Sequence, residues 1–225
     1  MKEDKLFILA FGVYPGDAEA GMGGTLAKYS SLGKDTGICD LTEAELSPGV
    51  SVAERKNQAR SAAEMLGVKK RVFLDFPDRG LYMAASYVDR LVSVIRKYRP
   101  EIICIPAKER TKPDFASCAS LVKEAVHSAG IDRYRDSLNL PSHSVRQQFS
   151  YLAAGFQTPD FVLDITDYTE IKKAGLGAYE TDSKLYIEHA LFREQHYGSM
   201  VQRAFGEGFF STDPILINEL PGEEK

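Results

Sequence analysis

KLFILAFGVYPGDAEAGMGG, residues 5–24, joins a continuous apolar run to a Pro/Gly turn, an acid and a glycine-studded helix start. A run of strand length with no polar alternation suits a strand buried on both faces, as in the interior of a parallel sheet. The pattern recurs in TGICDL (36–41), RVFLDF (71–76) and EIICIP (101–106). Helical periodicity fills the gaps. SYVDRLVSVIRKYRP carries Val88, Leu91, Val92 and Ile95 on one stripe and stops at Pro100. AERKNQARSAAEMLGV does the same with Ala59, Ala62, Ala63 and Leu66, and ends at Gly67. Strand then helix, four times over, predicts βαβ crossovers and a three-layer α/β/α sandwich on a mostly parallel sheet. FSYLAAG (149–155) and FVLDIT (161–166), followed by two helical stretches, are expected to add strands that pair antiparallel at one edge. Ligands of such sheets bind beyond the carboxyl ends of the strands. The candidate site therefore lies in loops 12–24, 40–55, 76–82 and 106–116.

The chain has 225 residues, 44% of them apolar, enough for one α/β domain spanning 1–225 with a full core. Its formal charge of -4, with basic residues spread along the chain, is not the footprint of a nucleic-acid binder. The longest apolar run, LFILAFGV, is too short to cross a bilayer and has no cleavage signature, so a cytoplasmic protein is expected. Cys39, Cys104 and Cys118 are odd in number and widely spaced, and read as reduced, buried thiols. Gly21, Gly23 and Gly24 follow a strand, but a dinucleotide fingerprint needs its third glycine at position 26, which is Leu26. Close packing of a helix on the sheet explains them better. His189 and His196 are seven apart on a helix, about 10 Å along its axis and too far to share one zinc. They and His127 read as surface residues.

The loop AFGVYPGDAEAGMGGTLAKY resembles the first motif of the LmbE/PIG-L family of zinc-dependent N-deacetylases, A-x-H-P-D-D-x-E followed by G-x-G-G. The resemblance covers nearly the whole chain. DLTEAELSPG, AERKNQAR, FPDRGL, HSAGIDRY, PDFVLDIT and FGEGF resemble in particular the deacetylases of N-acetylglucosaminyl malate in bacillithiol synthesis. The resemblance implies a Rossmann-like α/β deacetylase fold. It places the family's zinc ligands at Tyr14, Asp17 and Phe115, its general base at Gly16, and its carbonyl-polarising groups at Lys112, within RTKPDF, and at Phe205. Only Asp17 keeps the family's residue type. A catalytic zinc takes three protein ligands and leaves a fourth position for water, with a carboxylate beside it as base. Phe115 cannot coordinate and Gly16 has no side chain to take a proton. A homologue that has lost the zinc centre is therefore expected, with no cofactor.

Arg55 falls on the arginine that the sugar-malate deacetylases use toward substrate. It reads equally as a solvated charge at a helix end. Asp78 and Arg79 are either ligand contacts or a turn-stabilising pair. The ammonium of Lys112 could occupy the metal position and neutralise Asp17, with the rings of Tyr14 and Phe115 closing the pocket. Asp17, Glu19 and Asp114 could instead gather around a hard cation such as magnesium. Two classes of function follow. One is a non-catalytic, ligand-binding or partner subunit, taking a small sugar-type ligand and assembling as a trimer or hexamer or with an active relative, as family members do. The other is a working N-deacetylase or amide hydrolase of a GlcNAc-type glycoside with a non-standard site.

Overall fold

The structure is a computed structural model and describes residues 5–108, 113–179, 183–211 and 213–215. The four apolar runs become β1 (Ile8–Gly12), β2 (Thr36–Thr42), β3 (Lys70–Phe76) and β4 (Ile102–Pro106). Helices α1 (Asp17–Ser31), α2 (Val52–Met65) and α3 (Ala85–Tyr98) connect them, and α4 (Pro113–Ala129) follows β4. Gly67, at φ +69°, turns the chain just beyond α2, where only glycine is at ease. The remainder is β5 (Gln147–Tyr151), β6 (Phe161–Asp164), α5 (Thr169–Gly177), α6 (Ser183–Met200) and β7 (Gly206–Ser211). All seven strands form one sheet in the order β3-β2-β1-β4-β5-β7-β6. The helices α1, α2, α5 and α6 pack among themselves, as do α3 and α4, which makes the two outer layers of the expected sandwich. The centre of the core is β1, where Leu9, Ala10 and Phe11 are fully buried.

The sheet's far edge has the expected antiparallel pairs, but they form through a strand that the sequence reading did not foresee. FSYLAAG supplies β5, which pairs parallel to β4, with Cys104 opposite Phe149. The antiparallel strand is β7, from the GEGFFS stretch, inserted between β5 and β6 and antiparallel to both. Glycines at alternate positions and a charged residue in the buried row hide this strand from a hydrophobicity pattern.

The glycines of α1 do pack the helix closely. A Cβ at Gly21 would lie 2.1 Å from the Tyr151 ring, and one at Gly24 would lie 2.7 Å from Ile165. Between them the helix breaks at Met22 (φ -150°, ψ 24°). The break frees the carbonyl of Ala20 and the amides of Gly24 and Thr25, and each finds a buried partner. Lys172 Nζ (2.9 Å) and Arg193 (2.6 Å) donate to Ala20 O. Glu207 accepts from Gly24 N (2.9 Å) and Thr25 N (2.7 Å). Orphaned helix-end groups are costly when buried, so this polar cluster is a condition for the kink. Gly21→Ala should cost about 2–3 kcal/mol by overpacking against Tyr151, and lower the melting temperature by roughly 5–10 °C in calorimetry. An unchanged transition would mean that helix and ring are not in contact.

Candidate functional site

At the carboxyl end of β1 the chain turns through Tyr14, Pro15 and Gly16. Gly16 has φ +106°, a conformation that a side chain would strain. Asp17 opens α1, is 5% exposed, and accepts a hydrogen bond from Tyr14 N at 2.8 Å. The Tyr14 hydroxyl donates to Asp114 Oδ2 (3.2 Å), which also accepts from Arg79 N (2.9 Å). Asp114 and Phe115 sit in the first turn of α4, so the ends of β1, β3 and β4 meet at this point. Phe115 is fully buried, and its ring centroid lies 6.3 Å from that of Tyr14. Burial raises the Tyr14 phenol well above its usual pKa, and the carboxylates of Asp78 and Asp114 raise it further. Tyr14 is therefore a neutral hydrogen-bond donor.

Asp78 is held on the loop after β3. Its backbone N–H donates to Glu45 (2.6 Å) and its Oδ2 accepts from Leu46 N (3.4 Å), while Oδ1 is buried without a partner. Arg55 stands in the first turn of α2. One terminal N–H reaches Pro48 O at 3.5 Å, and its Nε–H is buried and unpartnered. An orphaned acceptor and an orphaned donor thus both hang on the segment 45–48. Each orphan costs about 1–3 kcal/mol in the free chain, an energy that a bound polar group would recover. Asp78 and Arg79 do not form the turn-stabilising pair, because Asp78 serves Leu46 and Arg79 gives its backbone N–H to Asp114.

The sequence expectations divide accordingly. Tyr14, Asp17, Asp114 and Phe115 come together, with Asp78 beside Tyr14. Lys112 lies outside the described residues. The alternative gathering of Asp17, Glu19 and Asp114 does not occur. Glu19 is fully buried on the other side of α1, ion-paired with Arg71 and accepting from Tyr179 OH at 2.6 Å. Arg71 also grips both oxygens of Asp40, at 2.8 and 3.1 Å. Residues two apart on a helix point to opposite sides, which is the physical reason for the separation. Among the described residues no three His, Cys, Asp or Glu side chains form a group that would hold a metal ion. Phe205 heads β7, three strands from β1, with its N–H and C=O bonded to Thr166 Oγ1 (3.3 Å) and Ile165 N (3.1 Å). The residue that the sequence reading missed nearby is Glu207, a structural anchor. His127, His189 and His196 are on the surface, and the three thiols are buried with their pKa values pushed up by desolvation, that of Cys104 to about 12.

The positions that the resemblance assigns to zinc ligands offer one carboxylate, one neutral phenol and one hydrocarbon ring. That set does not fit a zinc ion, which takes three N, S or O ligands from protein.

The model of a known family, described as PIG-L, GlcNAc-PI de-N-acetylase, matches residues 9–126. Diacetylchitobiose deacetylase of Thermococcus kodakarensis is 28% identical, over 95% of this chain and 86% of that protein. Among solved structures, the conserved protein TT1542 from Thermus thermophilus superposes with a TM-score of 0.91 at 28% identity, over 97% of this chain and all of that one. GalB, the 4-carboxy-2-hydroxymuconate hydratase from Pseudomonas putida, reaches 0.83 at 20% identity, over 95% and 99%, which is a likeness of fold. With the family pattern running from β1 through α4, where the candidate site is built, the chain belongs to the LmbE/PIG-L deacetylase family.

Proposed function

We propose that this chain is a non-catalytic member of its family that binds a small N-acetylglucosamine-type glycoside, as a ligand-binding or partner subunit in the cytoplasm. Within the family we place it beside the N-acetylglucosaminyl-malate deacetylases of bacillithiol synthesis. The observation that carries the reading is the donor set at positions 14, 17 and 115, where a buried phenylalanine and a neutral tyrosine flank a single aspartate. With Gly16 at the base position, this chain has no carboxylate there to take a proton from water. Two polar groups on the neighbouring loops support the binding half of this reading. The unpartnered Arg55 Nε–H and Asp78 Oδ1 supply one donor and one acceptor, and a sugar hydroxyl satisfies either.

The test uses protein purified without chelator. Zinc content and zinc titration come first, then amine release from N-acetylglucosaminyl malate and from N,N'-diacetylchitobiose, then calorimetry with both sugars. Far less than one zinc per chain, no amine release and measurable sugar binding are expected. Arg55→Ala and Asp78→Asn should each weaken that binding between about fivefold and a hundredfold, matching about 1–3 kcal/mol per hydrogen bond. One tightly held zinc with amine release would favour the second reading, an active N-deacetylase with a non-standard site. The activity named for the Thermococcus relative speaks for that reading. Absence of both zinc and sugar binding would sink the two together.

A further inference from the structure

Between α2 and α5 the surface opens into a cleft of about 520 Å³ that takes no part in the candidate site. The two helices touch where a Cβ at Gly175 would lie 2.9 Å from Leu66 Cγ. Two residues on they have parted, since a Cβ at Gly177 would meet nothing within 4 Å. One wall of the cleft is a stripe of α2 that carries Glu54, Asn57, Gln58 and Ser61, residues three and four apart and so on one side of the helix. The other is the small-residue end of α5, Ala174, Gly177 and Ala178. Gln58 lines the cleft yet is only 7% exposed, and among the described residues its carboxamide has no hydrogen-bond partner. Buried polar side chains nearly always have partners, and one held at such depth without any costs free energy that a ligand recovers.

We propose that this cleft is a second ligand site, one that holds a neutral sugar ring by a pair of adjacent hydroxyls. A carboxamide sets an acceptor and a donor side by side. Adjacent ring hydroxyls present the matching pair, because one donates while its neighbour accepts. A peptide amide in the trans form points its N–H and C=O in opposite directions and answers only one of the two. The rim extends the same chemistry. The Glu54 carboxylate accepts, the Ser61 hydroxyl does both, and Asn57, whose Oδ1 is taken by Arg60 at 3.2 Å, has its NH2 group left to donate. Among the described residues no Lys or Arg lines the cleft, so an anionic ligand finds no counter-charge there. Opposite the polar wall, Ala174, Gly177 and Ala178 form a floor without bulky side chains, on which the C–H face of a sugar ring can rest. Glu54 and Arg55 are consecutive in α2, so the cleft and the candidate site flank the same turn. They share no lining residue, and nothing in the cleft depends on what the candidate site holds.

The isotope-labelled full chain is titrated with methyl glucoside and with tetrahydropyran, a ring of similar size that has no hydroxyls, and followed by NMR. Methyl glucoside should shift the Gln58 side-chain NH2 and Gly177 backbone signals to saturation, and tetrahydropyran should not. Gly177→Leu fills the cleft at a helical position with open space around it, so it should abolish those shifts without lowering the melting temperature. Gln58→Leu keeps the shape of the wall and removes the hydrogen bonds, so binding should weaken roughly tenfold. Asp78→Asn should leave the shifts at Gln58 and Gly177 unchanged, which separates this site from the candidate site: a failure of sugar binding there does not silence the signals here. No saturable shift at Gln58 and Gly177, an equal response to tetrahydropyran, binding indifferent to Gly177→Leu or to Gln58→Leu, or shifts that vanish in Asp78→Asn would each overturn the proposal.

Discussion

The double variant Tyr14→His/Phe115→His should bind one zinc ion per chain, at least about a thousandfold more tightly than the native protein, a gain of ~4 kcal/mol or more. Asp17 is already present as a third ligand. It keeps its orientation because the bond that holds it comes from the backbone N–H of residue 14, which the substitution leaves in place. The two rings to be replaced have centroids 6.3 Å apart, on the scale of two imidazoles that share one ion through Zn–N bonds of about 2.0–2.1 Å. Without metal the variant should be less stable by about 3 kcal/mol, because a fully buried phenyl ring gives way to a polar one. Zinc should restore that loss, so the melting temperature of the double variant rises with zinc while that of the native chain does not. Either single variant, with two ligands, should hold zinc only weakly. Adding Gly16→Asp supplies the base, but at φ +106° the new side chain is strained by about 1–2 kcal/mol. The loop has settled into a conformation that glycine alone adopts freely. A folded double variant with no zinc affinity would show that positions 14, 17 and 115 do not converge, and would remove the main support for reading this pocket as a former metal centre.

Much of the architecture is legible in the chain because the strands of a parallel sheet are buried on both faces and announce themselves as apolar runs. β1 to β4 and the ends of α2 and α3 are of that kind. β7 is not, since its buried row includes Glu207 and its glycines accommodate the Val162 and Tyr197 side chains. A strand defined by what it makes room for leaves no hydrophobic signature. The candidate site divides in the same way. Tyr14, Asp17, Asp114 and Phe115 are near one another because both of their loops leave the carboxyl ends of adjacent strands, a consequence of topology alone. The departure of Glu19 was also within reach, since helical geometry sends it away from Asp17. The partnership of Asp78 with Glu45 and Leu46 was not, because it depends on the path of the loop after β2, and no local pattern encodes that path. The break at Met22 was equally hidden. It exists because Lys172, Arg193 and Glu207, up to 185 residues away, take up the backbone groups it frees.

That break makes Glu207→Ala the most damaging single substitution expected outside the hydrophobic core. Besides the two backbone amides, Glu207 accepts from Thr25 Oγ1 at 2.6 Å and from Lys172 Nζ at 2.5 Å, and it is 1% exposed. Its removal orphans two N–H groups at the start of the second segment of α1. It also leaves Lys172, fully buried, with Glu194 as its remaining carboxylate partner among the described residues. Breaking a buried pair while leaving the other ion in place typically costs about 3–5 kcal/mol. For a chain of this size that lowers the melting temperature by roughly 10 °C or more. Glu207→Gln keeps an acceptor for the amides and gives up only the charge, so it should lose about half as much. Hydrogen exchange locates the effect: in Glu207→Ala the amides of Gly24 and Thr25 should lose protection before the strands do, because they alone lose their acceptor. If Glu207→Ala melts within about 2 °C of the native protein, or the exchange of Gly24 and Thr25 is unchanged, the kink is held by packing against Tyr151 and Ile165 and not by the carboxylate. The first turn of α1 carries Asp17, so the same carboxylate that closes the break also fixes the ground on which the candidate site stands.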